Sequence, residues 1–226
     1  RPPRSTLFPY TTLFRSIFIY KKREDGTSNL SLKSLLEKNS LNFEDIFYKD
    51  CEVFVELLQK WGKVHNLSGR LSKDDIYENI LDSLYPLNFI DEFNSFADIG
   101  TGAGYPGLIL AIARKDVKAY LIEPRVKRVA FLNFVKATLG LNNLTILQKR
   151  AENVEGLEVD LITSRAVTNT NLLLNITSKI KKEYTSYLFY KGSMLEDEIE
   201  TSKISNYKVV SRCERNYLYI KGKKCW

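Results

Sequence analysis

No run in this 226-residue chain approaches the ~18 consecutive apolar residues that a membrane-spanning helix needs, so no membrane span is expected. The first residues are basic and partly apolar. Arg15 interrupts Thr11–Tyr20, however, and no small-residue cleavage site follows, so a secretory signal is not expected either. Cysteine is scarce: Cys51, Cys213 and Cys225 are odd in number and scattered, and no CxxC or Cys/His cluster suggests zinc. The reading is a protein without metal, at home in a reducing cytoplasm. Histidine is scarcer still. His65 stands alone in a helical stretch far in sequence from the glycine-rich loop described below, and a structural use is expected rather than general-base catalysis. Internal repeats and low-complexity tracts are absent.

What is present is the balance of a globular chain, 44% hydrophobic and 27% charged. The length suits one α/β domain with a small appendage. A net charge of +7 hints at a polyanionic partner. The hint is weak, because residues 1–26 carry six Lys/Arg against two Asp/Glu and the remainder only 28 against 25. Those first residues, with early prolines and no sustained periodicity, read as an irregular extension, possibly foreign to the native gene.

From 27 to 90 the pattern is helical and predicts a small N-terminal subdomain. Cys51, Phe54, Val55, Leu58 and Trp61 recur along one helical face, which stops near Gly62 and His65–Asn66. Asp74 and Asp75 suit the start of a second helix, Ile76, Ile80, Leu81 and Leu84 give it an apolar face, and Pro86 ends it. From 91 to 226 short apolar runs at Phe96–Ile99, Ala119–Ile122, Leu144–Leu147, Val159–Thr163 and Tyr187–Tyr190 alternate with helical stretches at Pro106–Arg114, Arg125–Leu139 and Asn171–Ile180. Such alternation predicts an α/β, doubly wound parallel sheet, with Tyr207–Ser211 and Tyr217–Ile220 as late strands that add an antiparallel edge.

The first strand hands over to the first helix through Asp98-Ile-Gly-Thr-Gly-Ala-Gly-Tyr-Pro-Gly107. Glycines let a backbone turn tightly and approach a ligand closely, with Gly100 and Gly102 best placed to do so. Gly102, Gly104 and Gly107 fit the dinucleotide pattern G-x-G-x-x-G, and Glu123 lies where an acid would hold a ribose, so an NAD-dependent oxidoreductase fits the loop as well. Asp98 tilts the reading toward a methyl donor. A carboxylate at the end of the first strand can balance the cationic methionine part of S-adenosylmethionine, whereas dinucleotide sites usually keep that position apolar. Glu123, at the end of the second strand, can accept both ribose hydroxyls or else cap the next helix. Arg165, after the fourth strand, can meet a carboxylate, a guanine O6 or a phosphate, or form a surface salt bridge. Lys191 ends the fifth strand on the same edge, where it can meet RNA. Lys127 and Arg128 are more weakly placed and equally suit a solvated helix face. The Tyr105 ring can pack on a ligand or inside the domain.

Several strings, in order and spacing, resemble the family of ribosomal RNA small subunit methyltransferase G, also called glucose-inhibited division protein B. They are Val64-His-Asn-Leu-Ser68, Ile80-Leu-Asp-Ser-Leu84, Asp98 to Gly107, Glu123-Pro-Arg-Val-Lys-Arg-Val-Ala-Phe-Leu132, Arg150-Ala-Glu152, Ser164-Arg-Ala-Val167 and Lys191-Gly192. The resemblance runs from about Leu30 to Lys224. It implies a Rossmann-like, S-adenosylmethionine-dependent methyltransferase that modifies N7 of a guanine in 16S rRNA near the decoding centre. It further implies a cytoplasmic enzyme, monomeric in our reading, acting on 16S rRNA or the 30S subunit, with cofactor contacts at Gly100, Tyr105, Ala151, Glu152 and Arg165. Asn79 stands where the family usually has histidine, and Glu123-Pro124 where many members have Asp-Ser. Because guanine N7 carries a free lone pair, no essential general base is expected, and Arg165 and Lys191 are assigned to positioning. Three other readings stay open at this point: a methyltransferase of another RNA or a small molecule, an NAD-dependent oxidoreductase, and an inactive ribosome-binding factor.

Overall fold

Three helices precede the sheet in a computed structural model, which describes residues 31–222 apart from 66, 68, 70, 166, 193, 194 and 203 and the side chains of 64 and 65. The extension expected at 1–26, Cys225 and the use made of the His65 side chain lie outside the described residues. α1 (Leu32–Glu37) is capped by the Ser31 hydroxyl, and α3 (Lys73–Leu84) by that of Ser72, with Asp74 and Asp75 in its first turn. Between them α2 (Asp45–His65) buries Cys51, Phe54, Val55 and Leu58, the stripe expected of it. Pro86 does not stop the chain abruptly. It opens a 3-10 turn, Tyr85–Asn88, where its missing N–H is harmless.

The sheet follows: β1 (Ser95–Ile99), α4 (Gly107–Ala113), β2 (Lys118–Ile122), α5 (Val126–Leu139), β3 (Leu144–Leu147), β4 (Val159–Arg165), α6 (Thr170–Ile176), β5 (Lys181–Lys191), α7 (Leu195–Ser202), β6 (Tyr207–Arg212) and β7 (Arg215–Ile220). The strand order is β3-β2-β1-β4-β5-β7-β6, with β7 antiparallel to both β5 and β6. The expected parallel sheet with a late antiparallel edge is therefore present. β5 starts six residues earlier than its apolar run, because the polar segment Lys181–Ser186 continues the strand outside the core. α7 is an additional helix of mainly acidic residues that apolar periodicity did not disclose.

Alternating side chains of the strands feed two cores. Phe96, Leu121, Leu161 and Leu188 point into one, together with α1 through α5; Ala97, Ile122, Ile162 and Phe189 point into the other, under α6 and α7. The N-terminal helices do not close a core of their own. α2 packs on α4 and α5, α3 packs on α4, and Trp61 of α2 stacks against Phe131 and Phe134 of α5 at centroid distances of 5.8 and 5.4 Å. Chain order reverses between β1 and β4, and ligands of open α/β sheets bind beyond the carboxyl ends of the strands at such a reversal.

Candidate functional site

An open cavity of about 820 Å³ lies at that point. Its walls come from the segments following four adjacent strands: Gly100 to Tyr105 after β1, Glu123 to Arg128 after β2, Lys149 to Glu152 after β3, and Arg165 to Thr168 after β4.

The glycine loop is anchored from below. Asp98 is fully buried, its Oδ2 accepts the Gly107 backbone N–H at 2.9 Å, and its Oδ1 accepts the Thr163 hydroxyl at 2.7 Å. Asp98 and Thr163 face each other in the β1–β4 register, so one carboxylate ties both strands to the start of α4. Gly107 permits this approach, because a Cβ there would lie 2.6 Å from Asp98 Oδ2. Asp98 does not line the cavity. The expectation that its carboxylate faces the methionine part of a ligand is corrected accordingly: its lone pairs are spent inside the protein, on the loop. Burial pushes its pKa up to about 6, against the pull of the Thr163 and Gly107 hydrogen bonds and the Arg165 charge.

Above this anchor Gly100 has φ +67° and receives the Val167 side chain, which would come within 2.6 Å of a Cβ. Gly102, also at positive φ, donates its N–H to Glu123 Oε2 at 3.0 Å. The Arg125 N–H binds Glu123 Oε1 at 3.0 Å, at the entrance to α5. Glu123 is 1% exposed yet lines the cavity. A carboxylate has about four acceptor positions. Two backbone bonds leave acceptor capacity on each oxygen, although Arg128 stands 3.5 Å from Oε2. Both readings of Glu123 thus meet in one residue: it steadies the approach to α5 and presents spare acceptors to the cavity. Arg128 belongs to the cavity wall, and Lys127 is exposed outside it. Ala151 and Glu152 line the cavity from a 3-10 turn, Ala151–Asn153, with Glu152 near Arg150 at 3.9 Å.

Arg165 is not on the surface. Its Nη1 donates to Asn79 Oδ1 at 2.8 Å and to Asp82 Oδ2 at 3.0 Å, and its guanidinium lies 4.8 Å over the Tyr105 ring. Asp82 Oδ1 also accepts from Arg215 at 3.1 Å and Tyr217 at 2.9 Å. Asn79, at the position where the resemblance expects histidine, therefore helps α3 hold Arg165 in the cavity wall. These partners lie more than 80 residues from Arg165, and the one sequence signal for them was an aspartate inside the otherwise apolar Ile80–Leu84 string. The Tyr105 ring packs edge-on to Phe54 and is buried, while still contributing to the cavity. Its hydroxyl has no hydrogen-bond partner, and burial raises its pKa well above the ordinary tyrosine value. Lys191 departs from expectation: its ammonium is buried in a salt bridge with Glu198 at 2.7 Å and donates to the Thr168 carbonyl at 3.0 Å, so it does not stand free at the sheet edge.

These residues fit a nucleoside-type cofactor. The cavity has the size of small-molecule sites. Glu123 offers acceptors suited to a pair of hydroxyls, and the buried, unpartnered Tyr105 hydroxyl calls for a polar group from a ligand. Arg125, Arg128, Lys149, Arg150 and Arg165 surround the same opening, concentrating positive charge that the net balance of the chain conceals. No group of three or more potential metal ligands occurs among the described residues.

A model of the rRNA small subunit methyltransferase G family matches residues 48–221. The ribosomal RNA small subunit methyltransferase G of Aliarcobacter butzleri is 73% identical over 191 residues, covering 84% of this chain and 98% of that protein. Its namesake in Wolinella succinogenes is 44% identical over 192 residues, covering 85% and 98%. Among solved structures, a putative S-adenosyl-L-methionine-dependent methyltransferase from Methanococcus maripaludis superposes with a TM-score of 0.56 at 14% identity, covering 82% of this chain and 97% of that one; it shares the fold.

The Asp98 anchor makes a prediction. Its folded-state pKa lies above the value of about 4 for an exposed aspartate, so its ionisation costs stability. The cost is absent below pH ~4, grows as pH rises toward about 6, and is constant beyond. Asp98→Asn keeps one acceptor for Gly107 and removes the charge. Urea denaturation from pH 4 to pH 7 should show the difference in stability moving in favour of the variant by on the order of 3 kcal/mol. A difference independent of pH would show that Asp98 does not titrate in this range.

Proposed function

The chain belongs to the rRNA small subunit methyltransferase G family and is an S-adenosylmethionine-dependent methyltransferase, and we propose that it methylates N7 of a guanine in 16S rRNA near the decoding centre, in the cytoplasm, as a monomer acting on the 30S subunit. The observation that carries the reading is the joint presence, in one cavity, of the buried Glu123 carboxylate and a rim of five basic side chains. An acceptor pair suits a ribose, and a basic rim suits a phosphate backbone. The family match favours this over the oxidoreductase, the small-molecule methyltransferase and the inactive binding factor.

In this reading Gly100 and Gly102 offer backbone to the cofactor, Glu123 takes its ribose hydroxyls, and Ala151 with Glu152 flanks its adenine. Arg165 and Tyr105 meet its methionine part, with Asn79 and Asp82 fixing the guanidinium. When bound, S-adenosylmethionine supplies a methyl group already activated on a sulfonium. Guanine N7 has an in-plane lone pair, so no proton must leave before attack. What remains for the protein is to orient the base and exclude water. Asp98 keeps its work at a distance, holding the loop without touching the reactants.

Incubation with labelled S-adenosylmethionine and 30S subunits lacking the mark should place the label on N7 of one guanine, located by mass mapping. Label on another RNA would overturn the substrate assignment, and binding of the subunit without transfer would support the inactive-factor reading. The single-turnover rate should be flat from pH 7 to 9. A limb in that range belonging to an enzyme group required for the chemical step would contradict catalysis by positioning.

A further inference from the structure

A second, smaller cavity of about 270 Å³ adjoins the first. Val167 and Thr168 line both, so they form the partition between them. The second cavity is closed by the ends of β4 and β5 and by α7, through Ser164, Tyr190, Lys191 and Glu198, with Arg215 beside them. It falls below the usual range for cofactor sites and has the scale of a single nucleobase.

Its polar wall is built. Glu198 Oε2 accepts the Lys191 ammonium at 2.7 Å, the Thr170 backbone N–H at 2.9 Å and the Thr170 hydroxyl at 2.8 Å. Among the described residues Oε1 accepts no hydrogen bond. Burial pushes the Glu198 carboxyl up, but Lys191 and Thr170 outweigh it and hold it below the usual carboxylate range, so it is ionised. Lys191 is 8% exposed and uses two of its three N–H groups, on Glu198 and the Thr168 carbonyl. A fixed acceptor, Oε1, and a fixed donor, the third ammonium proton, thus stand side by side.

We propose that this cavity receives the target base and that the Lys191–Glu198 pair reads guanine, Lys191 donating to O6 and Glu198 Oε1 accepting from N1–H. The inference rests on the proposed guanine-N7 reading and names its specificity device. Guanine carries O6 between its N1–H edge and N7. A base held by O6 and N1–H at the Lys191–Glu198 end can turn N7 toward the partition and the first cavity. Adenine reverses both groups: its amino donor meets the ammonium, and its N1 lone pair meets the carboxylate. Sites built on buried polar groups reject such analogues strongly, because the protein groups are left unpaired. Bases that undergo chemistry are commonly taken out of the stack and read on this edge. Lys191 keeps a positioning role, acting from inside the domain.

The experiment compares Glu198→Gln with the parent on 30S subunits carrying guanine or adenine at the target position. Glutamine keeps the shape, loses the charge and can donate to adenine N1. S-adenosylmethionine affinity by calorimetry should stay within two-fold, transfer to guanine should fall at least ten-fold, and the guanine-to-adenine rate ratio should fall at least ten-fold. A ratio within two-fold of the parent overturns the proposal, since a merely structural Glu198 lowers both rates alike. If Glu198→Gln does not fold, Glu198→Asp decides. It keeps the charge but withdraws it by one methylene, so transfer to guanine should fall at least ten-fold with cofactor affinity unchanged, whereas a rate within two-fold of the parent overturns the proposal. Absence of transfer by the parent to guanine at N7 refutes the underlying reading instead.

Discussion

A fully buried carboxylate, that of Asp98, sets the geometry on which the cavity depends. It stands at the end of β1, takes the Thr163 hydroxyl from β4 and takes the Gly107 N–H at the start of α4. Leaving a carboxylate in this environment is costly, as its upward-shifted pKa records. Asp98 lines no part of the cavity and confers no direct contact with a ligand. Its effect is to fix both ends of the loop, so that Gly100 and Gly102 meet the cavity at positive φ and the Gly102 N–H finds Glu123.

A second polar junction joins the N-terminal helices to the sheet. Asp82 of α3 gathers Arg165 from β4 and both Arg215 and Tyr217 from β7. A buried ion pair contributes little net stability once desolvation is counted, but removing one partner strands the other. Its more specific consequence here is orientation. Arg165 is held between Asp82, Asn79 and the Tyr105 ring, where its side chain forms part of the cavity wall. The helices of 32–88 therefore contribute to the site as well as to the core they share with α4 and α5.

Much of the fold was legible. Period-two and period-3.6 patterns located every strand and most helices, since each element buries an apolar face. β5 was shortened because Lys181–Ser186 is polar, and α7 went unseen because its acidic residues carry little apolar signal. Glu123 and Arg165 were placed correctly at strand ends. Asp98 was singled out but aimed the wrong way: every residue of β1 is buried, so alternation between a wet and a dry face offered no clue to its direction. Lys191 read as a free cation because its partner sits on the unseen α7 and its other acceptor is a backbone carbonyl. Asn79 and Asp82 were beyond reach for a similar reason, since their contacts span more than 80 residues and are created only by packing α3 against the sheet edge.

Together these contacts describe a cavity whose loop is braced from below and whose one deeply buried acceptor, Glu123, awaits a pair of hydroxyls. The most direct test is a calorimetric titration of the parent and of Glu123→Gln with S-adenosylmethionine. The account predicts binding by the parent and affinity at least ten-fold weaker in the variant, with its melting temperature little changed. Equal affinity in the two proteins would contradict the assignment of this cavity as the cofactor site.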